Sequence, residues 1–201
     1  MTGLDPINYT WWLAGRASGV VALLLVTASV AIGLTLASKL VRRRGVAPVL
    51  ARVHEQTALA GLVAIGVHGA TLLADPWLHP GVSGVLVPFA MGYRPLFTGL
   101  GIIAGYLAAL LGLSFYARRR IGAKLWRKLH RATVLVWALG CVHAIGAGTD
   151  ASSPWLRTIM VATGAPIVVL FAIRVLRRPK RMLAPASVAR VQEGQVRATA
   201  S

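Results

Sequence analysis

Polar and apolar positions along the 201-residue chain do not alternate with a strand period, nor do they segregate onto one face of short helices. They fall instead into long apolar runs separated by short basic clusters. Five runs, at about 11–38, 53–74, 96–117, 127–147 and 155–176, are long enough to cross a hydrocarbon core, which takes roughly 20 helical residues. A spanning segment must satisfy its own backbone hydrogen bonds, so each is expected to be a helix. None shows the ten-residue alternation of a membrane β-barrel. The first run is too long for a signal-peptide core, and nothing basic precedes it in residues 1–10. The expected fold class is therefore all-α, a polytopic membrane bundle of five helices. Residues 1–10 form a short extracytoplasmic N-terminus, 11–178 the membrane domain, and 179–201 a basic, disordered cytoplasmic tail.

Composition agrees, with 56% hydrophobic residues and 13% charged, against about 25% charged in soluble domains. The net charge of +17 suggests nucleic-acid binding until the charges are located. Nineteen of the 22 Lys and Arg lie after the first, third and fifth runs, and only Arg16, Arg94 and Arg157 lie on the other side. The positive-inside rule then puts the N-terminus outside and the C-terminus in the cytoplasm. The charge is a topology signal with membrane lipid as its nearest partner, and no nucleic-acid partner is expected. Cys141, the single cysteine, excludes an internal disulfide and a cysteine-based metal cluster. The external connection from Asp75 to Pro95 is the longest, and its apolar centre Val82–Met91 is expected to lie on the membrane or dip into it.

Ionisable residues inside a membrane are costly and are candidates for function. Four of the five histidines fall in two runs, His54 and His68 in the second, His130 and His143 in the fourth, with His79 in the external loop. Separations of 14 and 13 residues correspond to roughly 20 Å along a helix. Both runs point the same way across the membrane, so His54 should match His130 in depth, and His68 should match His143. Two imidazoles facing each other suit a haem iron held from both sides, and the pattern provides two such sites. His54 and His130 are the candidate ligands of an inner iron, His68 and His143 of an outer one. Gly61, Gly66, Gly69, Gly140, Gly146 and Gly148 offer space on the same runs. Fourteen residues return a helix to within about 40° of the starting face, whereas 13 leave about 140°. The fourth helix must tighten locally or use different histidine rotamers. The plainer alternative, histidines that merely bond between helices, does not account for pairing by depth. A porphyrin-free metal site has only two ligands per depth.

Propionates need cationic partners. Arg16 and Arg94 are candidates for the outer haem, with lipid head groups as the competing contact. Arg52 and Arg127 are candidates for the inner one, beside Lys128 and Arg131. Trp137, between the two depths, is a candidate bridge between the cofactors or a packing residue. Glu55 is expected to pair with Arg52. Tyr9, Trp11 and Trp12 read as an interfacial aromatic belt.

At these histidines the chain resembles the ferric reductase-like transmembrane domain, the haem-binding membrane core of ferric reductases and NADPH oxidases. The resemblance rests on the His54/His68 and His130/His143 spacings, on Trp12–Gly19, on Tyr93-Arg94-Pro95-Leu96 and on Leu125–Arg131, and covers roughly residues 9–178. It implies two b-type haems and electron transfer from a cytoplasmic-side donor to an extracytoplasmic acceptor, in a bacterial cytoplasmic membrane. Complete enzymes of this family continue into a flavin and nicotinamide module. Here no Gly-rich dinucleotide fingerprint occurs, so no flavin is expected in this chain. An oxidoreductase component fed by a separate flavoprotein or by quinol is the expectation. A haem-binding subunit like that of the methionine-sulfoxide reductase system, or a non-redox scaffold or transporter accessory, are the alternatives. A proton or metal-ion permease is disfavoured because Glu55 is the only carboxylate candidate within the runs.

Overall fold

The computed structural model describes residues 6–38, 40–41 and 43–176. The expected disordered tail, residues 1–5 of the expected extracytoplasmic N-terminus, Lys39 and Arg42 lie outside them. The described residues form α1 (Pro6–Ala37), α2 (Val46–Leu73), α3 (Gly81–Leu86), α4 (Pro95–Leu113), α5 (Arg118–Ile121), α6 (Ala123–His130), α7 (Thr133–Ala147) and α8 (Pro154–Leu176), with no strand among them. Five spans are long and apolar enough to cross a membrane, namely α1, α2, α4, α6 with α7, and α8. That is the mark of an integral membrane protein. Proline opens α4 and α8, where its missing N–H has no partner to lose.

The exterior of the bundle is apolar. Val63, Leu110 and Val161 are each about two-thirds exposed, on helices with no polar face to offer water, as a lipid-facing surface requires. The interior is thin. Val30, Leu34 and Ile167 form its buried centre, with Val134, Trp137 and Leu170 packed against it. Small residues let the backbones approach, as is usual where lipid removes the hydrophobic drive between helices. A Cβ on Gly61 would touch Val26, and one on Gly112 would touch Leu62.

Helix α1 runs antiparallel to α2 in a strict register. Gly15 lies opposite Thr71, Gly19 opposite His68, Val26 opposite Gly61, and Gly33 opposite His54. Helices α4 and α7 form a second antiparallel pair, with Phe97 beside Gly146 and Gly101 beside His143. Helix α8 packs on α1 and covers Trp137 through Gly164.

The fourth span is broken just past His130. Helix α6 ends there, Arg131 and Ala132 form a turn, and α7 begins at Thr133. Ala132 N–H donates to the Leu129 carbonyl at 2.9 Å and Leu135 N–H to that of Ala132 at 2.9 Å. These three-residue steps turn the chain by about 120° per residue instead of 100°. This local tightening, about 20° per residue, takes up part of the about 140° that the 13-residue spacing leaves.

Between α2 and α4 the chain folds back on itself. Val85 of α3 packs on Gly69, the Phe89 ring covers Gly99, and the Tyr106 hydroxyl donates to the Leu86 carbonyl. Tyr106 stands eleven residues past Pro95, so the apolar Val82–Met91 segment turns in toward the body of α4.

Candidate functional site

The four histidines of the two spans meet as two pairs between the α1–α2 and α4–α7 layers. The ring centroids of His54 and His130 are 6.0 Å apart, with planes at 89°. Those of His68 and His143 are 6.3 Å apart, at 73°. His79 belongs to neither pair and sits exposed in the loop before α3.

Each ring is approached by the helix facing its own. His68 Nδ1 donates to the Gly15 carbonyl at 2.8 Å and His54 Nδ1 to the Ser29 carbonyl at 2.9 Å, with Ser29 Oγ at 3.1 Å. His143 Nδ1 donates to the Phe97 carbonyl at 2.9 Å. A carbonyl can only accept, so these contacts put the proton on Nδ1 and leave the Nε2 lone pair as the free ligand. His130 differs. Its Nδ1 is buried without a hydrogen-bond partner, although the Leu111 carbonyl, 14 residues beyond Phe97, is the backbone group acting on it. The Leu111 contact falls short of hydrogen-bond geometry, and the ring rests on Trp126 instead, with centroids 4.9 Å apart and planes at 25°.

Glycine makes these approaches possible, but not the glycines expected from the sequence. Gly61, Gly69, Gly140 and Gly146 meet Val26, Val85, Leu23 and Phe97, and Gly66 meets nothing. A Cβ on Gly148 would meet the Ala144 backbone of its own helix. The glycines that seat the imidazoles lie on the facing helices. A Cβ on Gly19 would come 3.1 Å from His68, one on Gly33 3.1 Å from His54, and one on Gly101 2.6 Å from His143 Cγ. The reason is geometric: a side chain crosses to its neighbour, so the room it needs is on the neighbour. The signal was present in α1, where Gly15 and Ser29 supply the carbonyls, Gly19 and Gly33 the seats, and both pairs repeat at 14 residues like His54 and His68.

The cationic candidates divide. Arg16 forms an ion pair with Asp150, its Nε donating to Oδ2 at 2.9 Å, and its guanidinium lies 4.1 Å above the Trp12 ring. Its charge near the end of a span is met by Asp150. Arg94 donates to the Gly146 carbonyl, three residues from His143. Arg52 and Arg127 are exposed at the opposite end. Glu55 accepts from the Tyr116 hydroxyl at 3.1 Å rather than pairing with Arg52, and the only ion pair among the described residues is Arg16–Asp150. The Tyr116 phenol, beyond the end of α4, is held above its usual range by desolvation and then by the Glu55 carboxylate.

Removing one partner of the Arg16–Asp150 pair strands a part-buried charge. Arg16→Met is expected to cost about 1.5–3 kcal/mol, read as a fall in thermal midpoint in detergent. Adding Asp150→Leu should restore part of it.

Trp137 turns away from the histidine pairs. Its Nε1–H donates to Thr27 Oγ1 at 3.2 Å and its six-membered ring lies against Gly164. This is packing between α1, α7 and α8. With Thr27 and Cys141 it lines a small cavity there. Trp137→Phe should cost about 1 kcal/mol, one neutral hydrogen bond, and leave any visible spectrum unchanged.

Beside His54 and His130 lies a small apolar space, part of it open to the exterior, lined by Val26, Ala58, Leu62, Ala108, Gly112 and Val136. Among the described residues no three His, Cys, Asp or Glu come together to hold a metal ion by themselves. Comparison with known protein families, with curated proteins and with solved structures finds no match, so the functional reading rests on this geometry and on the sequence motifs that carry it.

Proposed function

We propose that the protein is a two-haem transmembrane electron conduit of the ferric reductase-like kind, with one b-type haem between His54 and His130 and a second between His68 and His143. The observation that carries this is the spacing of the rings. A metal–imidazole bond of about 2.0–2.1 Å on each side of one ion, plus about 1.1 Å from each nitrogen to its ring centre, puts the centroids about 6.3 Å apart. The observed values are 6.0 and 6.3 Å. Two imidazoles without a third protein ligand call for a group that brings its own in-plane donors, as a porphyrin does. Interhelical bonding alone accounts for the Nδ1 contacts but not for the rings meeting in two pairs, with planes at 89° and 73°.

An iron porphyrin bound here would be held by His54 with His130 and by His68 with His143, and would supply a one-electron redox change. The chain does the rest. Gly15, Ser29 and Phe97 hold three imidazoles in one tautomer and raise their donor strength. Gly19, Gly33 and Gly101 let the facing helices come close. Apolar spans keep water from the sites.

The distribution of Lys and Arg orients the protein with the His54/His130 end toward the cytoplasm and the His68/His143 end outward. A separate flavoprotein or quinol supplies electrons on the inner side. The acceptor lies on the outer side, in a bacterial cytoplasmic membrane. A membrane subunit of a multi-component reductase fits the same geometry. Purified protein should show a reduced b-type α band and two haems per chain by pyridine haemochrome. Full-length, folded protein without that band would overturn the proposal.

A further inference from the structure

Four aromatic rings form an unbroken series from the surface to one histidine pair. Tyr116 meets Phe115 at 5.4 Å, Phe115 meets Trp126 at 5.9 Å, and Trp126 stacks on His130 at 4.9 Å. All three separations lie in the range of direct ring contact. The series is held in place: Trp126 Nε1–H donates to Ser114 Oγ at 3.2 Å, and the Arg118 guanidinium lies 3.8 Å over Phe115. Its far end is open, since Tyr116 is 57% exposed. No other histidine of the two pairs rests on an indole among the described residues. The surface where the series emerges is strongly basic. Arg119, Arg120, Lys124, Arg127, Lys128 and Arg131 are all exposed, residues 118–131 contain no acidic side chain, and Glu55 is engaged by Tyr116.

We infer that Tyr116, Phe115 and Trp126 are the electron entry port, and that the basic segment around them docks an acidic flavoprotein donor. The inference rests on the two-haem reading. An anionic membrane surface would account for the cations, but not for a ring series running from their midst to His130. In the step, one electron leaves the donor's reduced flavin, which is oxidised. It passes by the rings to the iron between His54 and His130, which is reduced. No bond forms or breaks. The cations steer the encounter, and Trp126, in contact with the ligand ring, provides the last coupling.

The test uses the haem-loaded protein in phosphatidylcholine nanodiscs, with a flavodoxin as the acidic probe. Binding of oxidised flavodoxin is read by flavin fluorescence anisotropy, and reduction by reduced flavodoxin is read at the α band in stopped flow. Reversing Arg119, Arg120 and Lys124 to Glu should weaken binding by roughly tenfold or more and flatten its salt dependence. Trp126→Leu should leave flavodoxin binding unchanged, yet slow reduction roughly tenfold beyond what any shift in midpoint potential explains, with Trp126→Phe recovering most of the rate. Phe115→Leu, which leaves the ring on His130 intact, should slow it likewise. Wild-type reduction rates in both leucine variants would overturn the port. Charge reversal that abolishes binding to phosphatidylserine vesicles but leaves flavodoxin binding intact would make the segment a membrane anchor and overturn the docking surface. Absence of an α band after dithionite would overturn the two-haem reading itself. An α band with dithionite but no effect of these variants overturns the port alone.

Discussion

His143→Ala protein is expected to hold one b-type haem per chain instead of two, with the reduced α band halved. His143 is fixed by its Nδ1 contact to Phe97 and faces His68 at 6.3 Å. Removing it leaves His68 alone, a single protein ligand where the site needs two. The other pair stands roughly 20 Å away along the bundle and should keep its haem and spectrum. Transfer from an inner donor to an outer acceptor should fall by more than the roughly 10–100-fold typical of losing an outer-shell partner, because an axial ligand itself is lost. His79→Ala, outside both pairs, should change neither haem content nor transfer. A His143→Ala protein with two haems and an intact spectrum would show that the pair is not a ligand pair.

Gly101→Ala is expected to do nearly as much damage with a single methyl group. A Cβ there would stand 2.6 Å from His143 Cγ, closer than packed atoms come. The ring cannot yield freely, since its Nδ1 is tied to Phe97 on the same helix. Either the histidine swings out or α4 withdraws from α7, at about 1–3 kcal/mol for an overpacked contact. Haem content should drop toward one per chain, with a lower thermal midpoint. Gly19→Ala and Gly33→Ala make a graded comparison: their contacts at 3.1 Å ask only small adjustments. Those variants should keep two haems and show small shifts in midpoint potential. Equal behaviour of all three alanine variants would refute the seating argument.

The five spans were readable because each is a continuous apolar run, and a run of that length has few alternatives to a helix across lipid. The pairing of the histidines by depth was readable for the same reason, since co-directional helices of constant rise turn sequence distance into height. What surrounds the imidazoles was not. Gly19, Gly33 and Gly101 matter through contacts with another helix, and interhelical register is a property of two segments at once. Arg16 illustrates the same limit. Its partner Asp150 lies 134 residues away, and nothing local distinguishes an ion pair across the bundle from a contact with a bound anion. The 13-residue spacing left local tightening and different histidine rotamers both open, and no glycine or proline marks the turn at Arg131–Ala132. Trp137 was ambiguous by position alone, and its orientation followed from Thr27 and Gly164 on two other helices.

The repeat shared by α1 and α2 makes the gap between the two centres a quantised length. Fourteen residues are close to four full helical turns, about 21 Å, so both facing surfaces come round together. Deleting one residue between Gly19 and Gly33 would swing one notch about 100° away from its imidazole and leave the other untouched. Evolution or an engineer wanting the centres nearer or farther must therefore cut or insert whole turns in both helices at once. Thinner membranes would be met by a jump of about 5.4 Å rather than by gradual shortening.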